Sequence, residues 1–401
     1  MRQRLGWVVT HPIQYQVPVF RELAKMHDLD FEALYLSEHG TKPSLDRQFG
    51  QEILFDVPLL GGYEHRFVPG AAGFPGDFGF RSSGIARAIA TGGFDAIVVP
   101  GYARVAYLQA VAAARRHGIA VIHLSETTLE EGLRRLWLRA GKRALFAWHY
   151  REDDRALAIG SRSRRYLRTA GVRDEHIHDY PYTADTSLSD AAWPRHAELR
   201  AARRKELGIA PNEVVFVSCA KLIEKKRPLL LARAYARAGA DASLLFVGSG
   251  EQEEALRREV AGNPRVRLLG FRNQRELPSL YAASDALVLP SHEPWGLVVN
   301  EAMAMGCAAI LSDRVGSGDD LVVGRNAGAV VPFDDVDALA GELARFARDR
   351  ELLAAARAHA RTAVAGHTPR AAAAGVREAL FASRSVRQPE VRDAPVGERV
   401  R

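Results

Sequence analysis

Two glutamates, Glu293 and Glu301, stand with seven residues between them in the run Glu293-Pro294-Trp295-Gly296-Leu297-Val298-Val299-Asn300-Glu301. On one continuous helix, eight steps would separate them by roughly 12 Å along the axis. The helix starts near Gly296 and stops at Gly306, so Glu293 precedes it and sits in a loop. The two carboxylates would therefore address different parts of one elongated ligand. Between them, Trp295-Gly296-Leu297 present backbone N–H groups at a helix N-terminus, where an anion or developing negative charge is favoured. A second cluster is cationic: Lys221, Lys225, Lys226 and Arg227, with Pro228 in the first turn of the following helix. Only seven of the 55 Lys plus Arg residues are Lys, and three of those seven lie in this short turn. Lysine is a compact point charge suited to phosphate, although an exposed basic turn would look the same.

The elements that must carry these residues are short apolar strands followed by polar loops and helices. In the second half of the chain, strands are expected at Val214–Cys219, Leu244–Val247, Val266–Gly270, Ala286–Leu289 and Ala308–Leu311, with a helix at Leu277–Ser284. Gly248-Ser249-Gly250 and Phe271-Arg272-Asn273 follow the second and third of these strands. The same rhythm runs through the first half. Leu5–Val9 leads into Thr10-His11-Pro12-Ile13-Gln14-Tyr15 and a helix to about Met26. Asp95–Val99 leads into Gly101-Tyr102 and a helix over Val105–Arg116, and Ala120–Leu124 leads into Ser125-Glu126-Thr127-Thr128. Ala156–Gly160 is a further strand, Tyr180–Asp185 closes the first domain, and the polar, Arg-rich stretch from Thr186 to Glu206 reads as a linker into a new helix. Repeated strand–loop–helix units predict doubly wound α/β domains with their loops at the carboxyl edge of each sheet. No G-x-G-x-x-G follows the first strand, which argues against a nicotinamide cofactor. Asp28-Leu29-Asp30 lies at the wrong end of its strand for a metal-binding pair.

Here the motif becomes specific. The stretch from Glu293 to Gly306 resembles the signature of family 4 glycosyltransferases, retaining enzymes of the GT-B fold. The resemblance implies an α/β, GT-B architecture: two Rossmann-like, doubly wound domains facing a central cleft. It assigns sugar contacts to Glu293, approach to sugar and phosphate to Gly296, Leu297 and Val298, and the ribose diol to Glu301. In the family a basic pair, usually Arg then Lys, clamps the donor diphosphate; Lys221 and Lys226 stand in its place, so Lys221 departs from the usual Arg but keeps the charge. Phe271 and Arg272 would lie beside the nucleotide base, with Gly248 at the neighbouring edge. The implied donor is a nucleoside-diphosphate sugar, UDP favoured over GDP, used as a substrate with no cofactor and no metal. The implied acceptor is a hydroxyl compound, whether a glycan, a lipid-linked molecule or a small molecule. Many members carry a His near the position of Glu126, and this chain does not.

The resulting division places an acceptor domain at residues 1–190 and a donor domain at 200–366. A crossover helix follows at 367–383, with a disordered tail at 384–401. His11, Gln14, Tyr63, Tyr102 and Glu126 are the acceptor-side candidates. For His11 and Gln14, turn packing is an equal alternative, and for Glu126 the alternative is helix capping by Ser125 or Thr127. Residues 37–84 are Gly- and aromatic-rich; Asp46, Phe49, Asp56, Leu59, Leu60 and Tyr63 there resemble a pattern in a subset of these transferases. The segment reads either as acceptor binding or as an excursion packed by its own aromatics.

Composition sets limits. A net charge of +7 suits phosphate-bearing substrates or an anionic membrane face, and no nucleic-acid module accompanies it. The basic, apolar stretch at 133–151 is either a helix lying on an anionic membrane or a core-facing helix with a solvated basic face. Cys219 and Cys307 read as small buried hydrophobes in a reducing cytoplasm. No run of 18 apolar residues and no signal peptide are evident. The rival reading from another enzyme class is a non-hydrolysing sugar-nucleotide epimerase, which would share the two-domain cleft.

Overall fold

Short runs such as Ala-Ile-Val-Val and Val-Val-Phe-Val are apolar on both faces, which suits parallel strands covered by helices on each side. The computed structural model, which describes residues 2–46, 51–128, 149–150 and 154–385, arranges them in two such sheets. The first has seven parallel strands in the order Ile177–Asp179, Arg155–Ala158, Ala120–Ser125, Ala96–Pro100, Gln3–Val9, Leu29–Tyr35 and Glu64–Phe67. The second has six: Val266–Leu268, Ala242–Val247, Val214–Cys219, Ala286–Leu289, Ala308–Ser312 and Gly328–Val331. This is the GT-B fold expected.

Strand order places the crevices. In the first sheet the chain runs outward from Gln3–Val9, then returns to its other side at Ala96–Pro100. In the second it runs outward from Val214–Cys219 and returns at Ala286–Leu289. At each reversal the loops leaving adjacent carboxyl ends diverge, and a ligand crevice opens between them. The loops at those two points are 10–16 with 101–104, and 220–227 with 290–296.

One stretch differs from expectation. Residues 186–206 form the helices Thr186–Ala192 and His196–Glu206, because the arginines that look solvated are used inside. Arg200 and Arg204 reach Asp285, 4% exposed, at 2.7 and 2.8 Å, and Arg357 joins at 3.0 Å. The 37–84 excursion is built of two small antiparallel pairs, Ser44–Asp46 with Gln51–Ile53 and Ala71–Ala72 with Arg81–Ser82, plus the edge strand Glu64–Phe67.

The halves are tied together at several points. The helix Pro369–Ser385 returns to the first sheet with Ala372, Ala373, Val376, Ala379 and Leu380 buried. Arg162 and Arg165 pair with Asp319 at 2.6 and 2.9 Å. Asn273 donates to Leu54 O at 2.8 Å and accepts from Asp56 N at 3.2 Å, linking the excursion to the second domain. Among the described residues no helix is long and apolar enough to cross a membrane. Most of the basic stretch 133–151, and the tail from 386 onward, lie outside the described residues.

Candidate active site

The lysine turn is held from below. Strand Val214–Cys219 ends beside strand Ala242–Val247, and Ala220 N and Leu222 N donate to Val247 O and Ser249 O at 3.0 and 2.9 Å. Gly248 has φ +140°, and a Cβ there would come within 2.0 Å of Ala220 O. The Gly-Ser-Gly sequence is thus what lets the 220–222 backbone lie so close, and Gly248 also faces the cleft. A single turn, Glu224–Lys226, then leads through Arg227 into the helix Pro228–Ala238, with the Arg227 guanidinium bound to Asp334 at 2.7 Å.

Glu293 is fixed by its own backbone. Its N–H donates to Arg314 O at 3.0 Å, and its carbonyl accepts from Gly316 N at 3.1 Å. The carboxylate accepts a hydrogen bond from Lys226 Nζ, with side-chain exposures of 11% and 22%. Gly296, at φ +93°, begins the helix Leu297–Ala304; a side chain there would be strained at that φ. Trp295 is buried and donates from its indole to Asn300 Oδ1 at 2.8 Å, while Asn300 donates to Tyr182 O at 2.9 Å. Glu301 receives the Tyr281 hydroxyl at 3.0 Å. Burial pushes the Glu301 pKa up to about 7, with the Tyr281 bond acting the other way.

That shift carries a stability signature. The folded chain holds the Glu301 proton more tightly than the unfolded chain. Stability from this group is therefore lost as pH rises from about 4.5 to about 7, by at most about 3 kcal/mol. Glu301→Gln is expected to raise Tm relative to the parent at pH 8 and to leave it nearly unchanged at pH 4.5. Equal Tm differences at both pH values would show that the carboxyl is not destabilised by burial.

These parts converge on one cleft of about 550 Å³. Lys221, Lys226, Gly248, Phe271, Arg272, Glu293, Gly296, Leu297, Val298 and Glu301 line it, and so do His11, Gln14 and Glu126 from the first domain. A second pocket of about 700 Å³ opens in the first-domain crevice, where Tyr102 and Arg104 face His11, His39 and Phe74. The two cavities share His11, Ile13, His39, Glu126 and Lys221. His11 Nδ1 lies 2.9 Å from Thr10 Oγ1. Burial, then the charges of His39 and Arg104, pull the His11 pKa down to about 4, so its ring is neutral at neutral pH. Glu126 engages the hydroxyl of buried Tyr182, whose pKa is raised by burial and by that carboxylate. Tyr102 OH lies 2.7 Å from Tyr166 OH.

Tyr63 is not brought to either cavity. Its hydroxyl lies 2.6 Å from Tyr35 OH and donates to Leu59 O at 2.5 Å, and its ring packs on Phe20. It fastens the excursion to the first core. Arg104, His39, Gln274 and Phe55 also line the cavities, with no local sequence pattern to mark them. Arg104 carries no distinguishing neighbour in an arginine-rich chain; only its place beside a crevice loop singles it out. Among the described residues no group of three His, Cys, Asp or Glu side chains is placed to hold a metal ion.

Residues 200–363 match a family model described as "Glycosyl transferases group 1", and residues 26–183 match "Glycosyl transferase 4-like domain". A curated relative from Escherichia coli, UDP-Gal:alpha-D-GlcNAc-diphosphoundecaprenol alpha-1,3-galactosyltransferase, is 31% identical over 160 residues, 37% of this chain and 41% of that protein. The GDP-mannose-dependent monoacylated alpha-(1-6)-phosphatidylinositol monomannoside mannosyltransferase of Corynebacterium glutamicum is 31% identical over 184 residues, 41% of this chain and 47% of that one. The chain thus spans less than half the length of these relatives. Among solved structures, Anabaena HepE in complex with UDP superposes with TM-score 0.72 at 19% identity, covering 94% of this chain and 99% of that one. WaaG, a glycosyltransferase involved in lipopolysaccharide biosynthesis, gives 0.64 at 14% identity, covering 92% and 98%. At these identities the likeness is one of fold.

Proposed function

We propose, from the premise that this chain belongs to the group 1, 4-like glycosyltransferases with the GT-B fold, that it moves a sugar with retention from a nucleoside-diphosphate donor to a hydroxyl acceptor. One observation carries the reading: the lysine turn and both glutamates, remote in sequence, face a single 550 Å³ cleft that continues into a first-domain pocket. Lys221, Lys226 and the N–H groups at Gly296–Val298 compensate the charge of the departing diphosphate. Glu301 holds the ribose, Phe271 and Arg272 flank the base, and Glu293 positions the sugar. Residues 1–190 supply the acceptor side, through His11, Gln14, Tyr102 and Glu126. UDP is the favoured donor nucleotide: the Escherichia coli relative is named for UDP-Gal, although the Corynebacterium one is named for GDP-mannose. Both of those names describe lipid-linked acceptors, which favours a lipid-linked hydroxyl acceptor here over a glycan or a small molecule.

The test is a panel of UDP- and GDP-sugars, each incubated with and without acceptor extract, in excess chelator. Acceptor-dependent release of nucleoside diphosphate is expected, and it should survive the chelator because lysines and backbone N–H groups carry the diphosphate. Release restored only by magnesium or manganese would displace the lysine clamp. Epimerised donor without acceptor would replace the transferase reading with an isomerase.

A further inference from the structure

We infer that the acceptor carries an oxyanion, phosphate or carboxylate, apart from its reacting hydroxyl, and that Arg104 binds it. The inference rests on the transferase reading above and names the substrate class of its second site. Arg104 is half-buried in the wall of the 700 Å³ pocket. Its Nε donates to Pro75 O at 2.8 Å and its Nη1 to Ala103 O at 2.7 Å. Both partners are neutral carbonyls, and they fix the plane of the guanidinium while leaving N–H groups for another acceptor. Among the described residues no carboxylate lies within 4 Å of it, whereas Arg162 and Arg204 each have one. A cation partly removed from water with only neutral partners keeps its desolvation cost without a compensating charge. Arg104 also precedes the twelve-residue helix Val105–Arg116, whose first turn holds no acidic residue, so the helix dipole adds positive potential at the same point. Both features favour an anion there.

The pocket has two ends. His11, Glu126 and Lys221 line both cavities and mark the junction where a sugar would pass. Arg104, Phe74 and Pro75 line only the first-domain cavity. An acceptor spanning it would present its hydroxyl at the junction and its oxyanion to the guanidinium fork, which binds phosphate and carboxylate in the same bidentate way.

The experiment uses the full chain saturated with UDP, or with GDP if that binds instead, so that the lysine clamp is filled. Glycerol 3-phosphate, glycerate and glycerol are then titrated by NMR. Glycerol 3-phosphate, glycerate or both should bind about tenfold or more tightly than glycerol, and which of the two leads identifies the oxyanion. Arg104→Gln keeps donors for the two carbonyls but removes the charge, and should abolish the preference; Arg104→Lys should retain part of it. Thermal unfolding checks that both variants fold. Should Arg104→Gln disturb the fold, Arg104→Lys and the parent decide the matter: an anion preference identical in those two, or none in the parent, overturns the inference. If neither nucleotide binds, the transferase reading falls and the inference with it. Nucleotide binding with an anion preference that is absent or insensitive to Arg104 overturns the inference alone.

Discussion

Lys226→Ala is expected to lower turnover by about a hundred- to a thousandfold and to weaken nucleoside diphosphate binding at the same time. Two effects add. The variant removes charge compensation for the departing diphosphate, and it strips Glu293 of the cation that its carboxylate accepts from. Glu293 is only 11% exposed on its side chain, so a charge left alone there disfavours the folded loop as well. Steady-state rates and calorimetry with UDP check the first effect, and thermal unfolding checks the second. Lys226→Arg restores the charge and should recover part of both. Wild-type kinetics in Lys226→Ala would remove Lys226 from the clamp.

The two glutamates should respond in opposite ways to the loss of their charge. Glu301→Gln weakens acceptance from the ribose hydroxyls, charge-assisted bonds worth about 1.5–3 kcal/mol each. Donor and free nucleoside diphosphate should therefore both bind more weakly. Because the Glu301 pKa is about 7, the difference from the parent should grow as pH rises from 6 to 8 and the parent carboxyl ionises. Glu293→Gln should lower turnover about a hundredfold, since sugar positioning matters most in the transition state. Its effect on nucleoside diphosphate affinity should be small and, if anything, favourable, because Lys226 no longer has a carboxylate competing with the diphosphate. Calorimetry of UDP with both variants decides. Equal losses of affinity would end the division of labour between Glu293 and Glu301.

Much of this site was legible because its residues sit where local pattern is strongest. Val214–Cys219 and Ala286–Leu289 are apolar runs cut off by polar loops, and Gly296 and Gly306 bracket a helix whose ends their positive φ values permit. Charge was read less well. The arginines of residues 186–206 look like those of a solvated linker, yet Arg204 is buried on Asp285, a partner 81 residues away that no local pattern reveals. Tyr63 could be read either way for the converse reason: an aromatic among glycines can line a ligand or plug a gap, and in the structure its ring packs against Phe20 and Phe31. The Lys226–Glu293 pairing spans 67 residues. Each residue announced its chemistry, but their competition for one another is a fact of distance alone.

The return of the helix Pro369–Ser385 to the first sheet separates the order of synthesis from the order of completion. Ala372, Ala373, Val376, Ala379 and Leu380 are buried there, and Gly375 fits so closely that a Cβ would come within 2.0 Å of Asp179 O. Every residue of the second sheet therefore leaves the ribosome before the last piece of the first domain's core. The core of the first domain is thus completed only after the second sheet has been made, by a helix that follows that sheet in sequence.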